Sequence, residues 1–151
     1  MPRPKFIDVG PALTDKDIDG AEAELGVTFP EPYRRFLLQT NGGRPVPECV
    51  GDHPIHTLYG IRSDPHYNLI RKACFNWELD IPTEFLAFGS GVFGDTLCLH
   101  LRTGQVHCHD HELDEMDLIF DDFDMFLDAF HPVDRTLEPI YLVGRSGESG
   151  R

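Results

Sequence analysis

Positive charge is what this sequence has least of. Its 151 residues carry 13 Lys and Arg against 26 Asp and Glu, a formal net charge of −13. Proteins that bind DNA, RNA or an anionic membrane do so with clustered Lys and Arg that neutralise phosphates. The composition therefore excludes nucleic acid and membrane as main partners, and it permits a basic protein drawn in by long-range steering. Long apolar runs are missing as well. Nothing approaches the roughly 18 consecutive apolar residues of a membrane-spanning helix. The opening MPRPKFIDVG lacks the apolar stretch of about 7–15 residues that marks a signal peptide. The four cysteines, Cys49, Cys74, Cys98 and Cys108, form no C-x-x-C pair and no dense framework. They read as small buried apolar residues in a reducing compartment, and the expected location is cytoplasmic.

What is present belongs to a globular domain. The apolar fraction is 40% with eleven Phe, and a chain of this length buries roughly 68–70% of its unfolded surface. One domain is expected over residues 1–143, followed by a frayed tail at 144–151 (GRSGESGR). No internal repeat or low-complexity segment interrupts it.

The stretch Leu25–Gly43, LGVTFPEPYRRFLLQTNGG, carries the densest local signal. Thr14 with Asp17 three residues on reads as a capping box, with Leu13 and Ile18 as its hydrophobic staple. Ile18, Ala21 and Leu25 then line one face of a first helix, which Gly26 ends in a left-handed conformation. Pro30 and Pro32 preset the start of a second helix at about 31–41, whose face is Tyr33, Phe36, Leu37 and Thr40. Asn41-Gly42-Gly43 stops it. Residues 43–54 read as a surface loop and 55–60 as a strand. A third helix is expected from Ser63-Asp64-Pro65, with Tyr67, Leu69, Ile70, Ala73, Cys74 and Trp77 on its apolar side. A short strand at 84–88 leads to the glycine-rich GSGVFG at 89–94.

The clearest strand pair is 95–101 with 105–110. A two-residue Thr103-Gly104 turn would set Leu101 opposite Val106 and Leu99 opposite Cys108. That register sets Cys98 opposite His109 and His100 opposite His107 on one face, within reach of a tetrahedral Zn²⁺. The same residues also read as ordinary half-exposed strand positions, so no metal or other cofactor is assigned. Residues 118–120 are a further short strand. Asp121 or Asp122 caps a last helix with Phe123, Phe126, Leu127 and Phe130 at helical spacing, and 140–143 would add an edge strand.

Two further patterns carry no chemistry. Asp110-His111-Glu112 point to alternating faces of a strand and cannot converge as an acid–base cluster. GSGVFG lacks the Lys-Ser/Thr ending of a phosphate loop and leads into a strand, which fits a bulge where only Gly is accommodated. No catalytic residue is assigned, and the protein is expected not to be an enzyme. From Thr103 to Asp134 there is no Lys or Arg, while acids stand at 110, 112, 114, 115, 117, 121, 122, 124, 128 and 134. Such a segment is either a solvated face or a docking surface. As a docking surface, its partner-binding residues would be Glu112, Asp114, Glu115, Asp117, Asp121, Asp122 and Asp124.

Taken in order, Leu25-Gly26, Phe29-Pro30, Tyr33, Phe36-Leu37, Asn41-Gly42-Gly43, Phe88-Gly89, Gly94-Asp95, Leu97-Cys98-Leu99, Gly104-Gln105-Val106, Asp110-His111-Glu112 and Phe123–Leu127 resemble the signature of the SUKH superfamily, the Smi/Knr-like proteins. The resemblance spans about residues 14–131. It departs from the usual pattern at His109, where an aromatic commonly precedes Asp-His-Glu. It implies an α+β domain with an antiparallel sheet of about four to six strands packed with helices, and a non-enzymatic binding role. Many bacterial relatives are immunity proteins that neutralise polymorphic toxins, often nucleases, by direct binding. Yeast relatives are scaffolds in cell-wall signalling. The motifs themselves look structural, so the resemblance transfers no partner-binding residue.

Overall fold

A computed structural model describes residues 3–132; the expected segment at 140–143 and the tail at 144–151 lie outside the described residues. The chain begins with strand β1 (Lys5–Ile7) and helix α1 (Asp15–Leu25). The helix starts as its sequence dictates. Thr14 Oγ1 accepts from Asp17 N at 3.2 Å, and Asp17 Oδ2 accepts from Thr14 N at 2.8 Å. Gly26, at φ 73°, closes the helix by donating its N–H to Glu22 O. α2 (Glu31–Gln39) follows directly. Arg34 locks the two helices together: its guanidinium reaches Asp19 at 2.8 Å, Glu22 at 3.1 Å and Asp15 at 3.2 Å. Glu22 in turn accepts from Phe29 N at 2.7 Å, fixing the Pro-bearing connection.

The Asn41-Gly42-Gly43 stop does more than end α2. Asn41 is buried, and its side chain bonds Pro11 O at 2.8 Å, Ile61 O at 2.9 Å and Ile61 N at 2.8 Å. Gly42 sits at φ 69°, where a Cβ would lie 2.6 Å from Leu58 O. Backbone therefore packs on backbone here, and only glycine fits.

Next come β2 (Arg44–Val46), β3 (Cys49–Val50), β4 (His53–Leu58), α3 (Leu69–Glu78), β5 (Phe85–Gly91), β6 (Thr96–His100), β7 (Val106–Asp110), β8 (Glu115–Phe120), α4 (Phe123–Asp128) and β9 (Phe130–His131). Seven strands form one antiparallel sheet in the order β8-β7-β6-β5-β4-β3-β9, and β1 with β2 makes a separate ribbon. The core lies between this sheet and the helices. Tyr33 of α2 meets Phe88 of β5 and Phe123 of α4 edge-on, with Tyr33–Phe123 centroids at 5.2 Å. Phe36 packs at a tilt on Phe123, and Phe88 meets Phe126 of α4 edge-on at 5.6 Å. A smaller cluster of Ile81, Phe85 and Cys98 packs with Trp77 and Met116.

The α+β class, the helix-packed antiparallel sheet and the capping chemistry match expectation, while several details differ. The sheet has seven strands, more than the four to six expected, and its extra strands β3 and β9, two residues each, are too short to show a period of two in the sequence. For the same reason the segment at 43–54 is not a surface loop: it forms β2 and β3, paired to β1, β4 and β9. α3 does not start at Ser63. Asp64-Pro65 makes a turn closed by Tyr67 N to Asp64 O at 3.1 Å, and Asn68 caps the helix by accepting from Arg71 N at 2.9 Å. Gly60 bridges to Asn68 just before the helix, donating its N–H to Tyr67 O and accepting from Leu69 N.

The β6–β7 register also differs. Leu97 faces Cys108, Cys98 faces His107 and Leu99 faces Val106, a shift of two from the expected pairing. The turn is longer than two residues: His100 N donates to Gln105 O at 2.9 Å and Gly104 N to His100 O at 2.8 Å. His100 Nδ1 fills the loop by accepting from Arg102 N and Thr103 N, both at 3.2 Å. Alternating leucines fix only the parity of a register. An even shift leaves every side chain on its expected face, so the pattern could not detect it.

Candidate interface at the acidic edge strand

β8 is the last strand of the sheet, so its outer edge is unpaired by any strand among the described residues. The turn before it is shaped by acids. Asp110 Oδ1 accepts from Glu112 N at 2.9 Å and from Leu113 N at 3.3 Å. Asp114 adopts a left-handed φ of 51°, which Asp tolerates better than most residues. Its Oδ1 lies 2.8 Å from Nε2 of the buried His109. His109 thus anchors the turn from beneath and holds Glu112 and Leu113 at its tip.

The seven acidic residues singled out from the sequence fall into two groups. Asp114 holds His109. Asp122 caps α4 by accepting from Met125 N at 2.8 Å. Asp124 pairs with Arg3 at 3.0 Å and Arg35 at 3.4 Å. Glu112, Glu115, Asp117 and Asp121 are exposed, with no ion pair to any described residue. Between them stand two solvent-facing apolar side chains, Leu113 (65% exposed) and Leu118 (50% exposed). Acidic and apolar groups are interleaved along one free edge. A segment of this kind offers backbone pairing, charge and apolar contact to a partner.

The two faces of the hairpin differ. On one, Cys98 is enclosed by Ile81 and Phe85, and burial pushes its thiol pKa far up. His100 and His107 lie edge-on to Phe85 at 5.1 and 4.8 Å. Desolvation, then the neighbouring His100, lowers the His107 pKa. The expected grouping of Cys98 with His109 does not form, because Cys98 pairs with His107 and His109 is engaged by Asp114. On the other face, Cys108 approaches His53 of β4 and Asp95 of the β5–β6 turn, all three ligand atoms lying within 4.8 Å of one another. Burial, then the hydrogen-bonded Asp95 carboxylate, pushes the Cys108 thiol up to about 12, and Asp117 and Asp110 act in the same direction. Sequence reasoning missed His53 and Asp95. Neither carries a spacing signal toward Cys108, since strand curvature alone brings them together.

GSGVFG forms no cradle. Gly89 lies where the β5–β6 register shifts, and a Cβ there would meet Leu58 Cδ2 at 2.7 Å and Thr57 O at 2.8 Å. No helix among the described residues is long and apolar enough to cross a membrane.

Compared with known proteins, residues 12–129 match the SMI1 / KNR4 family (SUKH-1). No individual curated protein gives a match. The matched span runs from before α1 to the end of α4 and takes in the Arg34 lock, the Asn41 stop and the acidic hairpin. This chain belongs to the SMI1 / KNR4 family (SUKH-1).

Proposed function

We propose that this protein is a non-enzymatic binding module of the immunity type, which neutralises a basic, nuclease-like toxin by covering it with the acidic β7–β8 edge. The observation that carries the reading is the set of exposed acids without ion pairs, Glu112, Glu115, Asp117 and Asp121, interleaved with Leu113 and Leu118 on a free strand edge. A nuclease is cationic where it meets phosphate, so an acidic edge with apolar contacts complements that surface. Charge at the rim accelerates encounter, while the apolar contacts hold the complex. Membership in a family with many bacterial immunity proteins supports the choice of partner.

The test is binding to the product of the gene directly upstream. Reversing Glu112, Glu115 and Asp121 together to Lys is expected to slow association and weaken affinity by roughly tenfold or more at low salt. Raising ionic strength should erase much of the difference. Affinity indifferent to the reversal would move the interface elsewhere. If the neighbouring gene encodes no toxin and no basic partner binds, the protein is a regulatory scaffold of the same fold.

A further inference from the structure

We propose that His53, Asp95 and Cys108 form a Zn²⁺ site. They stand on three separate elements, β4, the β5–β6 turn and β7. β4 and β7 are third neighbours in the sheet order, a separation of roughly 14 Å if the sheet were flat. Their ligand atoms nevertheless lie within 4.8 Å of each other and of Asp95. The sheet curls to achieve this, and its backbone holds the curl. Val92 N donates to Pro54 O at 2.9 Å beside His53, and Gly91 N donates to Asp95 O at 2.8 Å. Leu97, two residues after Asp95, pairs with Cys108. Each ligand is therefore fixed in the backbone to the next.

The donor set decides the ion. Thiolate, imidazole and carboxylate together suit zinc, whereas magnesium and calcium take oxygen donors. Zinc bonds of about 2.0–2.3 Å require tetrahedral ligand separations near 3.4–3.8 Å. The observed cluster need contract by at most about 1.4 Å to reach them. His53 and Asp95 are half-buried, while Cys108 is buried. Three protein ligands leave a fourth position to water or to Asp117, which stands across the ladder from Cys108. Zinc would also offset the carboxylates of Asp95, Asp110 and Asp117 around one thiol. On binding, the Cys108 Sγ–H bond breaks, Sγ–Zn forms, and the proton leaves to solvent.

The test uses the full chain, stripped with chelator and titrated with Co²⁺ as a spectroscopic stand-in, then with Zn²⁺ in competition. The expected result is one equivalent of Co²⁺ with a thiolate charge-transfer band, displaced by Zn²⁺. Cys108→Ser should abolish the band, and Cys98→Ser, on the opposite face of the same hairpin, should retain it. His53→Gln and Asp95→Asn should each weaken metal binding by roughly tenfold or more. No thiolate band, a band that survives Cys108→Ser, or a band lost with Cys98→Ser would each overturn the assignment. If Cys108→Ser fails to fold by circular dichroism, His53→Gln decides: unchanged affinity overturns the site, and a tenfold loss upholds it.

Discussion

Replacing Asn41 should be among the costliest single changes outside the aromatic core. Its side chain makes three hydrogen bonds of 2.8–2.9 Å to Pro11 O, Ile61 O and Ile61 N, joining the N-terminal segment, the end of α2 and the segment after β4. Asn41→Ala removes all three and leaves their partly buried partners unpaired. At about 1 kcal/mol for each of the three lost bonds, plus about 1 kcal/mol for the partly buried groups left unsatisfied, the loss should be about 4 kcal/mol. That is a large share of the total stability of a domain this size, about 5–15 kcal/mol. Asn41→Asp refines the test. It keeps the acceptor for Ile61 N but turns a carboxylate toward two carbonyl oxygens. The folded state then favours the protonated acid, so the folded pKa of Asp at this position rises above its unfolded value. Stability of that variant should be best below the unfolded pKa, near 3.9, and should fall as pH rises through the folded one. Urea unfolding followed by Trp77 fluorescence reads both variants, because Trp77 Nε1 donates to Phe85 O at 2.7 Å and reports on packing. A loss below about 1 kcal/mol for Asn41→Ala would refute the idea that this side chain ties the three segments together.

Gly42→Ala should cost about 2 kcal/mol or more, from the positive φ and the clash with Leu58 O, read as a lowered urea midpoint. Tyr33→Phe should be neutral or stabilising by up to about 1 kcal/mol, because the buried hydroxyl has no partner among the described residues while the ring stays packed; a loss above that would reveal a bond to the hydroxyl. Thr14→Ala should lower stability by about 1 kcal/mol through loss of the α1 cap. His107 has a folded pKa below 6.5, so the unfolded state binds more protons and stability should fall as pH drops from 6.5 toward the folded value. Thermal melts of His107→Phe should flatten that fall.

Local structure was legible where the chemistry is local. The Thr14–Asp17 box, the Gly26 stop, the face of α2 and the Asp122 cap all involve partners within a few residues, and the residue types leave few alternatives. The β6–β7 hairpin was legible by face but not by register, because alternation carries parity and the turn alone sets the offset. β2, β3 and β9 were illegible: strands of two or three residues have no period, and each exists because a distant segment pairs with it. At the candidate interface, the acidic run was plain in the sequence. Its division into engaged residues (Asp114, Asp122, Asp124) and free ones was not, since His109, Arg3 and Arg35 reach them only in the folded chain.

The sequence by itself determined the charge, the caps and faces of α1 and α2, and, through an ordered set of short motifs, the resemblance to a family that implies the α+β class, because composition and short-range spacing are local properties. Tertiary structure alone decided which acids face solvent without a partner, where the strand edge lies open and which cysteine meets a histidine and a carboxylate. The physical reason is the same in each case. Sheet curvature and long-range pairing join residues such as His53 and Cys108, and no local propensity encodes that separation.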